Sequence, residues 1–344
     1  MSPAPLDYLL GEEVTLVTAP AVLGAQVSLR SEPLERVERT FYDTFDGRLH
    51  AAGRACLSEG GRLALFEGDG TPGREIASVA FADEPEQISP LELPSSALRD
   101  ALVELVEVRA LLRVARVRSR RRTLAVLDDL QKTVVRIVVE QPVAVREDGR
   151  GVRLAARLRL APVRGYESAL ERLRHVLESR FALSAAPGPL LEEAVLALGG
   201  VSGGVSAKVD VPLEGSMRAD LAAALVLRRL LEIMRANLPG TIAELDPEFL
   251  HDFRVAVRRS RAVQRELRDV FPATPLARFR AGFRRLQQIT SDVRDLDVYV
   301  IDFDDFRAQL PQSAAADLDP LLLVLRKRRA AAFSRSARTA ATLC

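Results

Sequence analysis

The chain has 344 residues, of which 48% are hydrophobic and 28% charged, with a formal net charge of only +2. That length allows two domains with cores of their own, and the composition is ordinary for a globular protein. The near-neutral balance excludes a general polycation, so an acidic partner must be met by local patches.

The first predicted strand is a short extended run at Glu13–Val17, and Val37–Thr44, rich in β-formers, is the second. Arg54–Leu57 and Arg62–Glu67 flank Gly60-Gly61, a hairpin signature. Helical spacing covers Ser96–Val106 after Pro94. Thr123–Leu127 and Val134–Val139 flank Asp128-Asp129 as a second hairpin, and Tyr166–Arg180 reads as another helix. Residues 1–196 therefore predict an α+β domain whose antiparallel strands form a sheet, tunnel or barrel. Within it Arg116, Arg118, Arg120 and Arg122 alternate, which puts all four on one face of a strand.

Gly and Ser density marks Gly199–Gly215 as a linker, here taken as residues 197–215. From Ser216 to the end the period is 3.6 and an all-α bundle is expected over residues 216–344. Arg218–Leu238 predicts a helix stopped by Pro239-Gly240. Asp246-Pro247-Glu248 is a strong start, with an N-cap, a proline in the first turn and an acid on the dipole. That helix is predicted to run to about Phe271-Pro272. Thr274-Pro275 then starts a helix bearing Arg280, Arg284, Gln287, Ser291 and Arg294 on one line. Asp319-Pro320 starts the last, which carries Arg328, Arg335 and Arg338.

The helix after Asp246 carries the strongest functional signal. His251, Arg254, Arg258, Arg261, Arg265 and Arg268 are spaced three, four, three, four and three. Such spacing lines one helix face for roughly 25 Å. Phe249, Phe253, Ala256, Ser260, Val263, Leu267 and Val270 line the opposite face, an apolar stripe with one polar interruption. Like charges at i,i+4 repel by about 0.2–0.5 kcal/mol per pair, so the row requires anions beside it. Acids of the chain itself, at Asp252, Glu266, Asp269 and within Asp292–Asp305, are one source and a ligand is the other.

The positive charge is nearly all arginine, since Lys132, Lys208 and Lys327 are the only lysines. Arginine forks grip phosphate bidentately and stay charged. With no Trp and four Tyr, a stacking platform for single-stranded nucleic acid is poorly supported. Cys56 and Cys344 offer at most one disulfide, and a reducing cytoplasm is the expected location. The opening MSPAPLDYLLGEEV has neither a basic n-region nor an apolar core, so no signal peptide is expected. No apolar run approaches a membrane span, and no membrane partner is expected.

The segment HDFRVAVRRSR, followed about thirty residues later by VRDLDV, resembles the CHAD family, the conserved histidine α-helical domain. The resemblance implies a helical bundle whose basic surface binds inorganic polyphosphate, with His251, Arg254, Arg258 and Arg261 facing the ligand. Arg265, Arg280, Arg284 and Arg294 extend the same basic line on this reading, and Arg294, Asp295 and Asp297 match the family's RDxD element. CHAD domains usually hold two similar repeats, whereas the 135 residues from Asp210 onward resemble little more than one. A C2 homodimer is one way to complete the groove. Association with polyphosphate granules accords with the same reading.

TFYDTFDGRLHAAG (40–53) and LRVARVRSRRRTLAVLDD (112–129) resemble the CYTH family, the triphosphate tunnel metalloenzymes. That family implies an eight-stranded tunnel, acidic strands that hold Mg²⁺ or Mn²⁺, and basic strands that grip triphosphate. This chain departs from the acidic pattern. Glu13, Thr15 and Val17 stand where ExExK is expected, and Arg157 and Arg159 stand where the late acids belong. Hard cations need several oxygen ligands, so neither metal nor hydrolysis is expected. Arg116, Arg118, Arg120 and Arg122 would remain as a secondary phosphate site. The alternative is a divalent-metal triphosphatase, with Glu13, Glu59, Glu67 and Glu140 supplying ligands and Mg²⁺ or Mn²⁺ as cofactor. A third reading, grip on any phosphate backbone, lacks a recognition-helix pattern for sequence-specific nucleic acid.

Overall fold

The computed structural model describes residues 6–11, 14–68, 73–181, 183–311 and 315–341. It divides into two units: one of residues 1–107 and 111–204, the other of residues 108–110 and 205–344. The division at Gly204–Val205 falls within the Gly- and Ser-rich segment.

The first unit is built on an antiparallel sheet. Its strands are β1 (Leu6–Leu9), β2 (Leu29–Ser31), β3 (Glu35–Asp43), β4 (Arg54–Glu59), β5 (Arg62–Glu67) and β6 (Arg74–Ala80). They continue with β7 (Gln87–Ile88), β8 (Leu111–Leu127), β9 (Thr133–Val145), β10 (Gly151–Arg153), β11 (Arg157–Pro162) and β12 (Ser184–Ala185). The hydrogen-bonded order is β12-β1-β11-β9-β8-β3-β4-β5-β6, with β10 on β9 and β2 and β7 on β8. Every pairing is antiparallel, in accord with the tunnel fold that the resemblance implies.

Both predicted hairpins form. Gly60 and Gly61 take φ of 60° and 77°, the left-handed pair that a two-residue turn between twisted strands requires. At the other hairpin Asp128 Oδ1 accepts from the amides of Leu130 and Lys132 at 2.9 and 2.8 Å, which closes the turn through a side chain. The strands flanking it are far longer than predicted, because β8 runs unbroken through the arginine-rich stretch.

Among the described residues the unit is completed by the α-helices α1 (Ala19–Gly24), α2 (Arg48–Ala51), α3 (Ala97–Val106), α4 (Glu167–Arg180) and α5 (Leu190–Ala197). Three of them cover the sheet. Leu170, Leu173 and Leu177 of α4 pack on Leu124, Val126, Ile137, Leu158 and Leu160. Leu98, Leu102 and Val106 of α3 pack on Tyr42, Cys56, Leu63 and Leu65. Leu190, Ala194 and Val195 of α5 pack on Phe41, Leu57, Ala115, Val117 and Ala144. Ser96 caps α3 by accepting from the Arg99 amide at 3.2 Å.

The strand predicted at Glu13–Val17 does not form. Glu13 lies outside the described residues, and Val14–Val17 is a turn entering α1. Val14 and Leu16 are buried while Val17 is exposed, so the alternation is real. The Thr15 and Thr18 side chains, however, accept from each other's backbone amides, and the Ala19 amide bonds the Thr15 carbonyl. Local side-chain bonding of this kind turns the backbone away from a ladder. The first strand is β1 instead.

The second unit is helical: α6 (Ala219–Ile242), α7 (Pro247–Glu266), α8 (Ala273–Ile289), α9 (Ser291–Ile301), α10 (Phe303–Ala308) and α11 (Asp319–Ala341). Leu230, Ile233 and Met234 of α6 meet Phe253, Ala256 and Val257 of α7, and Phe283 and Leu286 of α8 close over them. Leu250, Val293 and Ala332 join α7, α9 and α11 in a second cluster. Three predicted helix boundaries move. Pro239 does not stop α6, which continues to Ile242. Gly240 is buried there because a Cβ would stand 2.3 Å from the Phe249 ring, so it marks a close helix crossing rather than a break. Asp246 caps α7 as predicted, yet α7 ends at Glu266 and leaves Arg268 in a following 3₁₀ turn. The line from Arg280 to Arg294 is split at Thr290, whose hydroxyl bonds back to the Leu286 carbonyl at 2.9 Å. Among the described residues no helix is long and apolar enough to cross a membrane.

Candidate functional site: a cationic seam between helices

The apolar face of α7 buries Phe249, Leu250, Phe253, Ala256, Val257 and Ser260, which fixes how the helix rolls. Its basic face is thereby aimed at α8 and at solvent. Arg254 reaches across from half-burial, and its Nη1 donates to the Gln287 carbonyl at 2.8 Å and to Thr290 Oγ1 at 2.7 Å. Its Nη2 donates to Ser291 Oγ at 3.5 Å. Arg261 donates to the Gln287 side-chain oxygen, and Arg280 returns the contact from α8 by donating to the Gln264 carbonyl at 2.8 Å. These bonds stitch α7 and α8 into one seam.

Every acceptor in that seam is neutral. A carbonyl, a hydroxyl or an amide satisfies the hydrogen-bonding geometry of a guanidinium and leaves its charge in place. Arg258 and Arg284 are exposed, and neither has a partner among the described residues. Arg284 lies one turn from both Arg280 and Gln287, so it shares their face. Among the described residues no carboxylate forms an ion pair with Arg254, Arg258, Arg261, Arg280 or Arg284, and Asp295 acts on Arg254 only through its field.

Most of the neighbouring acids are engaged elsewhere. Arg265 pairs with Glu266 at 2.8 Å and Arg268 with Asp269 at 3.7 Å, both at the far end of the stripe. Asp252 faces Arg109 at 3.1 Å, and Glu248 stands between Arg294 at 3.3 Å and Arg109 at 3.8 Å. Arg109 comes from the three-residue segment that belongs to this unit, and the neighbouring Ala110 amide donates to the capping Asp246 at 3.0 Å. Of the RDxD acids, Asp297 is buried and accepts from Arg329 Nε of α11 at 2.8 Å. Asp295 is exposed. Sequence reading missed Glu248, Arg109 and Arg329 as partners, because long-range pairing leaves no trace in periodicity.

His251 opens the seam at the N-terminal end of α7. Burial pushes its pKa below the ordinary value, the Arg294 and Arg258 charges push the same way, and Glu248 and Asp252 oppose them. The imidazole is therefore neutral at pH 7.

Residues 225–343 match the family model of the CHAD domain. The match lies within the helical unit. The match takes in the whole seam, from α6 through α11. No curated protein matches the chain. The triphosphate-tunnel reading of the other unit rests on its sequence resemblance and its antiparallel topology.

Of the four acids that the metal alternative requires, Glu13 lies outside the described residues, and Glu59, Glu67 and Glu140 are committed to guanidiniums. Arg39 lies between Glu59 and Glu140, with Nε–Oε2 at 2.6 Å and Nη1–Oε1 at 2.5 Å. Burial by itself would raise the Glu140 carboxyl, but Arg39, Ser119 and Arg159 outweigh it and hold the group below the ordinary carboxylate range. Glu67 is shared by Arg54 at 3.4 Å and Arg74 at 2.9 Å. Arg157, where the tunnel family has an acid, is buried between Asp7 at 2.8 Å and Glu193 at 2.7 Å. Among the described residues no three His, Cys, Asp or Glu side chains stand together as a metal site. These residues do not fit Mg²⁺ or Mn²⁺.

The Arg116–Arg122 row is unevenly placed. Arg116 and Arg118 share Glu38, the second at 3.4 Å, and Arg122 donates to Ser31 Oγ at 3.4 Å. Only Arg120 of the four is without a partner among the described residues.

Proposed function

We propose that the protein is a non-catalytic polyanion-binding protein whose CHAD domain takes inorganic polyphosphate along the α7–α8 seam. The observation that carries this reading is the row of five guanidiniums satisfied by neutral acceptors or left bare. Protein bonds give those side chains shape without neutralising them, and a chain of phosphates supplies the missing charge at regular intervals. His251 and Arg294 extend the site at one end, and Arg265 extends it at the other. On this reading the protein is cytoplasmic and associated with polyphosphate granules. A homodimer would lengthen the seam.

The test is a binding isotherm of the full chain with long-chain polyphosphate at low and high salt. Tight binding that weakens steeply with salt is expected, because each phosphate contact releases counterions. No binding at low salt would overturn the proposal. Competition with duplex DNA should leave polyphosphate the stronger ligand, since nothing in the seam reads base edges.

His251 adds a pH dependence. A polyanion favours the imidazolium, so affinity should rise as pH falls through the lowered His251 pKa. Stability without ligand runs the opposite way. A depressed folded pKa contributes stability that is present above the unfolded value of about 6.5 and is lost as pH falls through the folded one. Isotherms and ligand-free denaturant melts between pH 8 and pH 5 should show the two trends, and His251→Gln should flatten both. The same slope in the variant would remove His251 from the site.

A further inference from the structure

One charge at the start of α7 comes from outside the helices. Arg109 lies between α3 and β8 in sequence and outside the residues that match the family model, yet Val108–Ala110 belongs to the helical unit. Its side chain is only 6% exposed. A charge is buried to that extent only where opposite charges answer it. Nη2 donates to Asp252 Oδ2 at 3.1 Å and stands 3.8 Å from Glu248 Oε2.

The backbone is shaped to deliver this side chain. Glu107, directly ahead of the segment, takes φ of 57° and ψ of −119°, a conformation that a residue with a side chain rarely adopts. Arg48 holds that turn, with Nη1 donating to the Val106 carbonyl at 3.4 Å and lying 3.0 Å from the Glu107 carboxylate. Strain of this kind persists where the surroundings over-determine it, and it concentrates at functional positions.

What Arg109 answers is the acidic start of α7. Asp246 is met by the amides of Ala110, Glu248 and Phe249. Glu248 and Asp252, on either side of His251 in sequence, are set against two guanidiniums, Arg109 and Arg294. Glu248 divides itself, with Oε1 toward Arg294 at 3.3 Å and Oε2 toward Arg109. Without Arg109, Asp252 would lose its ion pair and Glu248 would draw on Arg294 alone. The end of the seam formed by His251 and Arg294 would then turn a net negative charge toward a polyanion, with Arg258 as the further cation acting on His251.

We propose that Arg109 is a positioning residue for the polyanion site, holding Glu248 and Asp252 in a neutral cluster so that His251 and Arg294 meet the ligand without opposing carboxylates. Arg109 is buried and acts through those acids rather than by contact with the ligand. The inference rests on the polyphosphate reading of the seam.

The experiment uses the full chain carrying Arg109→Gln and has two readouts. The first is the His251 titration without ligand, followed by NMR and assigned among the three histidines with His251→Gln. The His251 pKa should move up, because Glu248 and Asp252 already favour the imidazolium and Arg109 no longer offsets them. The second is affinity for long-chain polyphosphate at pH 8 and low salt, which should fall roughly fivefold or more, the effect of about one uncompensated charge at close range. Arg109→Gln with Asp252→Asn removes one charge of each sign and should restore both readouts. A role confined to packing would not be repaired in this way. Arg109→Lys, which keeps the charge, should stay near the unsubstituted protein. Asp252→Asn alone keeps Arg109 beside Glu248 and should shift both readouts the other way, which keeps the test decisive if Arg109→Gln fails to fold. Normal polyphosphate binding with an unmoved His251 pKa, or a loss of affinity that Asp252→Asn does not restore, would overturn this inference alone. Absence of polyphosphate binding by the unsubstituted chain would overturn the seam reading and this inference with it.

Discussion

Charge reversal at Arg258 and Arg284 should abolish polyphosphate binding and leave the fold intact. Both guanidiniums are exposed and make no bond to the rest of the described chain. Replacing them by glutamates turns two cations into two anions beside a polyanion. At about 1 kcal/mol for each unit charge in close contact through water, affinity should fall by about a hundredfold or more at low salt. The salt dependence should flatten in parallel. Unfolding free energy should change by no more than about 0.5 kcal/mol, as for other unpartnered surface positions. Isotherms and denaturant melts on the same preparation check both halves, and full affinity in the double variant would remove the seam as the site. Arg254 is the wrong residue for this experiment, although its spacing suggested otherwise. It bridges α7 to Gln287, Thr290 and Ser291, and losing hydrogen bonds from a charged, half-buried group costs about 1.5–3 kcal/mol. Arg254→Glu would confuse lost binding with lost packing.

Arg39→Ala should be the most destabilising single change in the sheet unit, by about 3–5 kcal/mol. Both members of its pair with Glu140 have side chains only 2% exposed. Removing the guanidinium strands a carboxylate in a buried setting. The pH dependence is diagnostic. In the unsubstituted protein the depressed Glu140 pKa contributes stability that is present above the unfolded value and lost as pH falls through the folded one. Without Arg39, only Ser119 and Arg159 still oppose the effect of burial, and the Glu140 pKa rises. The variant's deficit should therefore be largest at neutral pH and shrink in acid, where the carboxyl takes up a proton. Arg39→Met with Glu140→Gln should recover much of the loss, because the charge and its partner leave together. Denaturant titrations at pH 7 and pH 4.5 measure this, and a deficit independent of pH would contradict the pairing.

The helical unit was the more legible half of the sequence. Asp246-Pro247-Glu248 carries cap, φ restriction and dipole complement in three adjacent residues, and α7 begins there. The basic and apolar faces of α7 were separable because both follow the 3.6 period. What the pattern hid was which arginines are structural. Arg254, Arg258 and Arg261 look alike in sequence, yet two of them bond α8 and one is bare, a distinction made wholly by Gln287 and Thr290 on another helix. Pro239-Gly240 misled for a similar reason. A proline in the last turn of a helix loses little, and Gly240 answers to the Phe249 ring nine residues on. In the sheet unit the hairpins were readable from Gly60-Gly61 and Asp128-Asp129. Arg39 gave no signal, since a lone arginine amid β-formers reads as a solvent-facing residue.

The continuous strand β8 has a consequence for how the sheet unit comes apart. Leu111 of β8 sits in the core under α3, Ala115 and Val117 in the core under α5, and Leu124 and Val126 in the core under α4. No one of these cores can melt without exposing β8 and breaking its ladders with β3 and β9. Partial opening is therefore suppressed, and the three cores behave as a single cooperative unit. The slowest amide exchange should lie along β8, and weakening any one core should speed exchange in all three by the same factor.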